Sequence, residues 1–254
     1  MQTREIDRLL DGLPGHIGLY LLDTATGETY ARNADDPIEA ASVIKLTVMA
    51  EAFRQFEAGL LDPAEQVTIR PEDKLPSCGA LTYLHDGVAV TLRDLVTLMI
   101  ILSDNTATNL LIDRLGMENI NAMIDSLRLT GTRLNRKLFM PELAARGIRN
   151  YVSARDMGRL LAGLLEGKIV SEKASGEMLG ILRNQRLNGK MPFFLHDRGI
   201  ACAHKTGEDD GVTHDVGVIF AGHPMILCFL SEHTDVPRAE RALQDIAAMA
   251  AGVR

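Results

Sequence analysis

The sequence has no apolar run long enough to cross a bilayer. Its most apolar stretch, Leu95 to Leu102, falls far short of the roughly 20 residues a spanning helix needs, and Ser103-Asp104-Asn105 follows at once. No membrane anchor is expected. Cysteines are few: Cys78, Cys202 and Cys228 are odd in number, widely spaced and without CxxC or nearby Cys/His metal spacing. That pattern argues against a disulfide framework and a zinc site, and the three are expected to be core residues. No run of Lys or Arg could follow a phosphate backbone, and the net charge is -7, so a nucleic-acid partner is not expected. The N-terminal stretch Met1 to Asp7 is charged from the start, with no apolar region of a secretory signal. As written, the chain reads as cytoplasmic, or as exported with its signal removed. Internal repeats and low-complexity linkers are also missing.

What is present is ordinary globular composition, 46% hydrophobic and 24% charged over 254 residues, enough for one large domain or two interleaved ones. Residues 3–11 pattern as a short amphipathic helix ended by Pro14-Gly15. The apolar run Ile17 to Leu22, a turn at Asp23 to Gly27 and a returning strand from Glu28 to Ala31 predict a hairpin. A helix is predicted from Ser42 to about Phe56, then a polar region to Gly87. Thr91 with Asp94 reads as a capping box opening a buried helix to Leu102. Further helical patterns occupy about 106–115, 117–127, 154–166 and 172–182. Strand signals return at Ile200 to Thr206, Thr213 to Phe220 and Met225 to Leu230, and 237–251 is a closing amphipathic helix. Strands at both ends around a helical middle predict an α+β fold. One antiparallel sheet would be built from both termini, with a helical domain inserted between.

The stretch Ala41-Ser42-Val43-Ile44-Lys45-Leu46 carries the first chemical signal. Residues three apart share a helix face, so the Lys45 amine is predicted to reach the Ser42 hydroxyl. A serine needs a nearby base to act as a nucleophile at neutral pH, and a lysine serves only if burial or a neighbouring cation lowers its pKa. Such a pair arises by chance roughly once in a chain of this length, so it needs company. Ser103-Asp104-Asn105 sits where a buried helix must end, and Lys205-Thr206-Gly207 where an apolar strand runs into a turn. Each has a plain structural reading alone. The three in this order, each at an element boundary, have a better one.

SxxK, SDN and KTG together mark class A β-lactamases and penicillin-binding proteins. The chain resembles that penicillin-recognising serine hydrolase superfamily over nearly its whole length. The likeness extends to Asn105-Thr106-Ala107 with Asn109-Leu110-Leu111, to Thr132-Arg133-Leu134-Asn135-Arg136, and to His204 before the KTG. It implies a discontinuous sheet domain (1–40 and 185–254), an all-helical domain (41–184) and an active site in the cleft between them. It also implies a cofactor-free enzyme with no metal, acting on a small molecule or peptide. Ser42 would be acylated, Lys45 would help deprotonate it, and Ser103 would pass a proton to the leaving nitrogen. Lys205 would hold Ser103 and a substrate carboxylate. The implied substrate-binding residues are Asn105, Thr206, Gly207 and Glu208, with Asp104 structural. Backbone N–H groups of Ser42 and Glu208 would form the oxyanion hole, stabilising the tetrahedral intermediate by roughly 3–4 kcal/mol per donor.

Two departures from the resemblance bear on mechanism. Class A β-lactamases place a water-activating glutamate two residues after the arginine of the RLxR segment, and here that position is Leu138. Glu142 is the next glutamate and a candidate displaced base, but Ala144 stands where an asparagine would steady the water. The loop is therefore closer to that of class-A-shaped penicillin-binding peptidases. Second, Glu208-Asp209-Asp210 follows the KTG, where acids either repel a substrate carboxylate, select an amine or form a solvated turn. Val216 stands near where many lactamases keep a carboxylate-binding arginine, with His214 and Asp215 unassigned. The resulting expectation is a serine hydrolase acting through a Ser42 acyl-enzyme on a β-lactam or related amide, with slow deacylation. The alternatives are a D,D-peptidase, a receptor that stays acylated, or an esterase.

Overall fold

The computed structural model describes residues 2–76 and 78–253. The chain begins with α1 (Thr3–Asp11), β1 (His16–Asp23), β2 (Thr29–Arg32) and β3 (Ile38–Glu39), followed by a 3-10 turn over Ala41–Ile44. Next come α2 (Lys45–Glu57), β4 (Gln66–Thr68), β5 (Ala89–Thr91), α3 (Leu92–Ile101), α4 (Asn105–Leu115) and α5 (Met117–Ser126). Then follow α6 (Pro141–Ala145), β6 (Tyr151–Val152), α7 (Ala154–Leu165) and α8 (Glu172–Arg183). The chain closes with β7 (Ala201–Asp209), β8 (Val212–Ala221), β9 (His223–Glu232) and α9 (Val236–Ala250). No helix among the described residues is long and apolar enough to cross a membrane.

The main sheet is antiparallel with strand order β2-β1-β9-β8-β7, so strands from both ends of the chain pair at its centre. This is the α+β plan read from the sequence. Two smaller pairs, β3 with β6 and β4 with β5, went unpredicted because their two or three residues are too few to show a period. The capping box at the start of α3 is formed: Asp94 N–H donates to Thr91 Oγ1 at 3.0 Å, and Thr91 N–H to Asp94 Oδ2 at 2.9 Å.

The sheet is covered on both sides, which is why β1, β8 and β9 read as continuous apolar runs rather than alternating ones. On one face Ile17, Leu19, Leu21, Ile219, Leu227 and Phe229 pack with Ile6 and Leu10 of α1 and Leu243 and Ile246 of α9. On the other, Tyr20, Val216, Val218, Ile226 and Leu230 belong to a core that continues into Leu46, Met49, Leu95, Leu111 and Leu160 of the helices. Each fully buried side chain of this kind contributes roughly 1.5–3 kcal/mol relative to exposure. The edge strand β7 and the Ala41–Ile44 turn meet where this second core reaches the surface, and the site forms there.

Helix α7 lies directly on β1, and Gly158 is what permits it: a Cβ there would stand 2.3 Å from Cδ1 of Tyr20. Alanine normally stabilises a helix interior by about 0.5–1 kcal/mol over glycine. Overpacking a tight contact costs about 1–3 kcal/mol, so the net sign should reverse. Gly158→Ala should lower the urea midpoint without changing the m-value. A raised midpoint would show that the Tyr20 ring gives way freely.

Candidate active site

Ser42 lies in the 3-10 turn rather than in a regular α-helix. Three residues per turn stack it over Lys45, the first residue of α2. The turn starts from Ala41 in the left-handed region (φ 41°), and Ser103 on the facing loop is also there (φ 54°). Such non-glycine conformations cost about 1–3 kcal/mol each and survive where the surroundings over-determine them. Here they do. Ala40 N–H donates to Asn150 O at 2.8 Å, and Glu39 N–H to Glu232 Oε2 at 3.1 Å. His214 supplies a third tie. Its Nδ1 accepts from Ser231 N–H at 3.1 Å, which leaves Nε2–H to donate to Glu39 O at 2.8 Å. Burial pushes the His214 pKa down to about 4, so the ring is neutral at neutral pH.

Lys45 is fully buried, and its Nζ donates to Ser103 O at 2.7 Å, Asn105 Oδ1 at 2.9 Å and Ser103 Oγ at 3.0 Å. All three bonds go to the Ser103–Asn105 turn and none to the Ser42 hydroxyl. The direct contact predicted from the i, i+3 spacing is therefore not made, because three acceptors on the facing loop take the amine. Lys205 reaches the same turn from β7, its Nζ donating to Ser103 Oγ at 3.0 Å and to Thr206 O at 2.7 Å. One hydroxyl thus sits between two buried amines. Burial, reinforced by the Lys205 charge, pushes the Lys45 pKa well below the ordinary lysine range. Burial pushes Lys205 down to about 7, with the Asp215 carboxylate opposing.

The loop that presents Ser103 is pinned by Asp104. Its Oδ1 accepts from Ala107 N–H at 2.9 Å and caps α4, while Oδ2 accepts from Ala80 N–H at 2.7 Å and Leu81 N–H at 2.9 Å. Asn105 N–H donates to Cys78 O. Cys202 and Cys228 lie in the core as expected, but Cys78 is half-buried and lines the cleft, a correction to the reading from composition. The 75–81 segment is drawn to the Asp104 loop by tertiary hydrogen bonds that no local pattern announces. Gly207 lets β7 come close to the nucleophile turn: a Cβ there would lie 3.2 Å from Val43 Cγ2 and 2.8 Å from His214 Cδ2.

Ser42 opens into a cleft of about 540 Å³. Ser42 and Asn105 line it, one wall is Leu138, Phe139, Met140, Pro141 and Ala144, and Glu208 and Asp209 stand at another. Leu138 is held there by Asn109, whose Nδ2 donates to Leu138 O and whose Oδ1 accepts Leu138 N–H, both at 2.9 Å. The loop neck is closed by Asn150: Oδ1 accepts the N–H groups of Asn135 and Arg136, and Nδ2 donates to Arg136 O. Glu142 is exposed on α6 and is not among the described residues that line the cleft. It does not join the cluster, because Pro141 and Ala144 present that helix to the cleft instead. Thr206 is buried beside Lys205, and Val216 pairs with Lys205 across the strands. Behind β7, His204 Nδ1 contacts Asp215 Oδ1 at 2.8 Å and Nε2 contacts Asn188 Oδ1 at 3.0 Å. Lys190 was missed by sequence reasoning. It carries no motif signal, and only tertiary packing brings its ammonium 3.1 Å from Glu208 Oε1. Among the described residues, no three His, Cys, Asp or Glu side chains gather as a metal site.

An accessible serine at a cleft, with two buried lysines sharing a second serine's hydroxyl, is an arrangement suited to a serine hydrolase. The family comparison agrees: the beta-lactamase enzyme family model matches residues 2–253, and the chain belongs to that family. It is similar to a beta-lactamase of Rhodobacter capsulatus, 27% identical over 96% of this chain and 85% of that protein. Among solved structures, the beta-lactamase from Sphaerobacter thermophilus is 31% identical with TM-score 0.90, covering 99% and 97% of the two chains. PBP-A is 28% identical with TM-score 0.88, covering 98% and 94%. A leucine-to-glutamate mutant of PBP-A, solved as an acyl-enzyme complex with penicillin G, is 27% identical with TM-score 0.87 over the same shares. The chain is thus a β-lactamase-like serine hydrolase of the class A type.

The lysine pair sets the expected pH dependence. As the general base Lys45 would act when neutral, so acylation is expected to rise with pH on a limb far below the ordinary lysine range. It then falls as Lys205 loses its charge near pH 7. Lys205→Arg keeps that charge to high pH and should remove the descending limb. Stopped-flow acylation between pH 4 and 10 reads both limbs, and a single ascent near pH 10 would reject the assignment.

Proposed function

We propose that the protein forms an acyl-enzyme through Ser42 with β-lactams or related amides and hydrolyses it slowly. In this reading Lys45, once neutral, keeps only two N–H groups for its three acceptors on the Ser103–Asn105 turn, and its lone pair turns to Ser42 Oγ and takes the proton as that oxygen bonds to the carbonyl carbon. The oxyanion is held by the backbone N–H groups of Ser42 and Glu208. The C–N bond then breaks, and the leaving nitrogen takes the proton of Ser103 Oγ, which Lys45 replenishes. Protonated Lys205, 3.0 Å from Ser103 Oγ, stabilises the hydroxyl's partial negative charge as its proton departs. Asn105, Thr206 and Gly207 position the substrate around these atoms.

The observation that carries the slow second step is Leu138. Asn109 fixes it in the cleft wall that Ala144 also lines, and by the resemblance it stands where class A enzymes keep a water-activating glutamate. The other carboxylates at the cleft have partners of their own, and Asp209 Oδ1 accepts Asp210 N–H. Glu39 is paired with Arg149 at 2.7 Å and lies 3.7 Å from Arg136, and Glu208 is paired with Lys190. A second reading, a D,D-peptidase on cell-wall peptide, is favoured by the same leucine and by the likeness to PBP-A. Release of D-alanine from a D-alanyl-D-alanine peptide would select it.

On a chromogenic β-lactam the wild type should give a burst of one equivalent followed by a slow steady state. Ser42→Ala should abolish labelling by penicillin in intact-mass spectra, and Lys45→Ala or Ser103→Ala should slow it about a hundredfold or more. Leu138→Glu should speed the steady state about tenfold, less than the ~100–10,000-fold of a well-placed base, because Ala144 gives the water no second partner. Glu142→Gln should leave the slow phase unchanged. Fast turnover without a burst, lost in Glu142→Gln, would overturn the reading.

A further inference from the structure

Gln185 lies between α8 and β7 and is buried, 3% exposed, although no motif surrounds it in the sequence. Its Nε2 donates to Ile100 O at 3.0 Å and to His204 O at 3.3 Å. Its Oε1 accepts the N–H groups of Arg186 at 3.0 Å and Leu187 at 3.1 Å, so donors and acceptors meet correctly at both ends of the amide.

The two carbonyls that Gln185 joins lead to the two halves of the site. A helix leaves its last four carbonyls without intrahelical donors, and in α3 these precede the Ser103 loop. Leu98 O is taken by the N–H groups of Leu102 and Asp104 as the chain turns. Ile100 O is taken by Gln185 Nε2, and Ile101 O by Arg186 N–H at 3.0 Å. His204 O belongs to the peptide that leads into Lys205, on the edge strand of the sheet. One buried amide therefore ties the last turn of α3 to the strand residue before Lys205. Asp104 ties the same loop to Ala80 and Leu81, not to β7.

We propose that Gln185 is a positioning residue for proton transfer at Ser103: by clasping α3 to β7 it holds the Ser103 hydroxyl at bonding distance from Lys205, and so favours substrates whose leaving group must be protonated. This rests on the acyl-enzyme reading for the role of Ser103, whereas the clasp is a property of the free protein. The proton at stake passes from Ser103 Oγ to the nitrogen as the C–N bond breaks. A misplacement of about 1 Å costs such a step about a hundredfold, and the 3.0 Å contact between Ser103 Oγ and Lys205 Nζ has little slack.

Penicillin G and p-nitrophenyl phenylacetate isolate that step. Both would acylate Ser42, but the lactam nitrogen must take a proton, while p-nitrophenolate leaves as the anion. Gln185→Met removes both donor bonds at nearly unchanged volume. Its acylation by penicillin G, followed by intact mass, should slow about thirtyfold, and by the ester less than about threefold, so that the rate ratio drops about tenfold. Gln185→Asn keeps the amide but shortens its reach by one carbon. It should move the ratio the same way, and it serves if the Met chain does not fold. Loosening this seam also admits water to Lys205. Its midpoint in 13Cε-lysine spectra, assigned through Lys205→Arg, should rise from about 7, with Lys45, Cys78, Asp215, Lys190 and Glu208 still around it. Equal loss on both substrates, or no loss on either, would overturn the positioning role. A wild type that neither compound labels would sink the acyl-enzyme reading alone. The Lys205 midpoint then decides for the clasp, and an unmoved midpoint overturns it.

Discussion

The site depends on two lysine amines held out of water on either side of one hydroxyl. Removing a charged amine from water costs several kcal/mol, and placing two within reach of Ser103 Oγ adds their mutual repulsion. The least costly state keeps one of them neutral, and a neutral lysine is a base. In the proposed acyl-enzyme reading, that electrostatic conflict is what turns Ser42 into a nucleophile without a histidine. It is available only because both lysines are fully buried and both donate to Ser103 Oγ.

Much of the surrounding structure keeps that conflict in place. Ala41 and Ser103 hold strained backbone conformations because strands and loops from distant parts of the chain grip them. His214 reaches from β8 to the carbonyl of Glu39, Asn150 closes the loop neck beside Ala40, and Asp104 binds three backbone N–H groups. Each is a buried polar group that is fully satisfied, so each adds rigidity rather than a desolvation cost. The same rigidity fixes Leu138 in the cleft wall.

Charge at the mouth of the cleft is arranged in pairs rather than in a field of one sign. Glu39 is matched by Arg149 and Glu208 by Lys190, while Asp209 Oδ1 accepts Asp210 N–H within the turn.

The sequence by itself determined the main elements and the identity of the chemical groups. Hydrophobic periodicity and the Thr91–Asp94 box are local, and the order of SxxK, SDN and KTG is readable without coordinates. It also showed a leucine, Leu138, where the resemblance expects a glutamate, since that is a matter of residue type at a spacing. Only the tertiary structure decided the contacts between segments distant in sequence. It sent the Lys45 amine to Ser103 and Asn105 instead of Ser42, brought Cys78 to the cleft, left Glu142 in solvent, and paired Lys190 with Glu208. Side chains as long as lysine and glutamate can reach several partners from one backbone position. Which they take is set by the acceptors and counterions that folding brings within about 3 Å, and no local pattern records that choice.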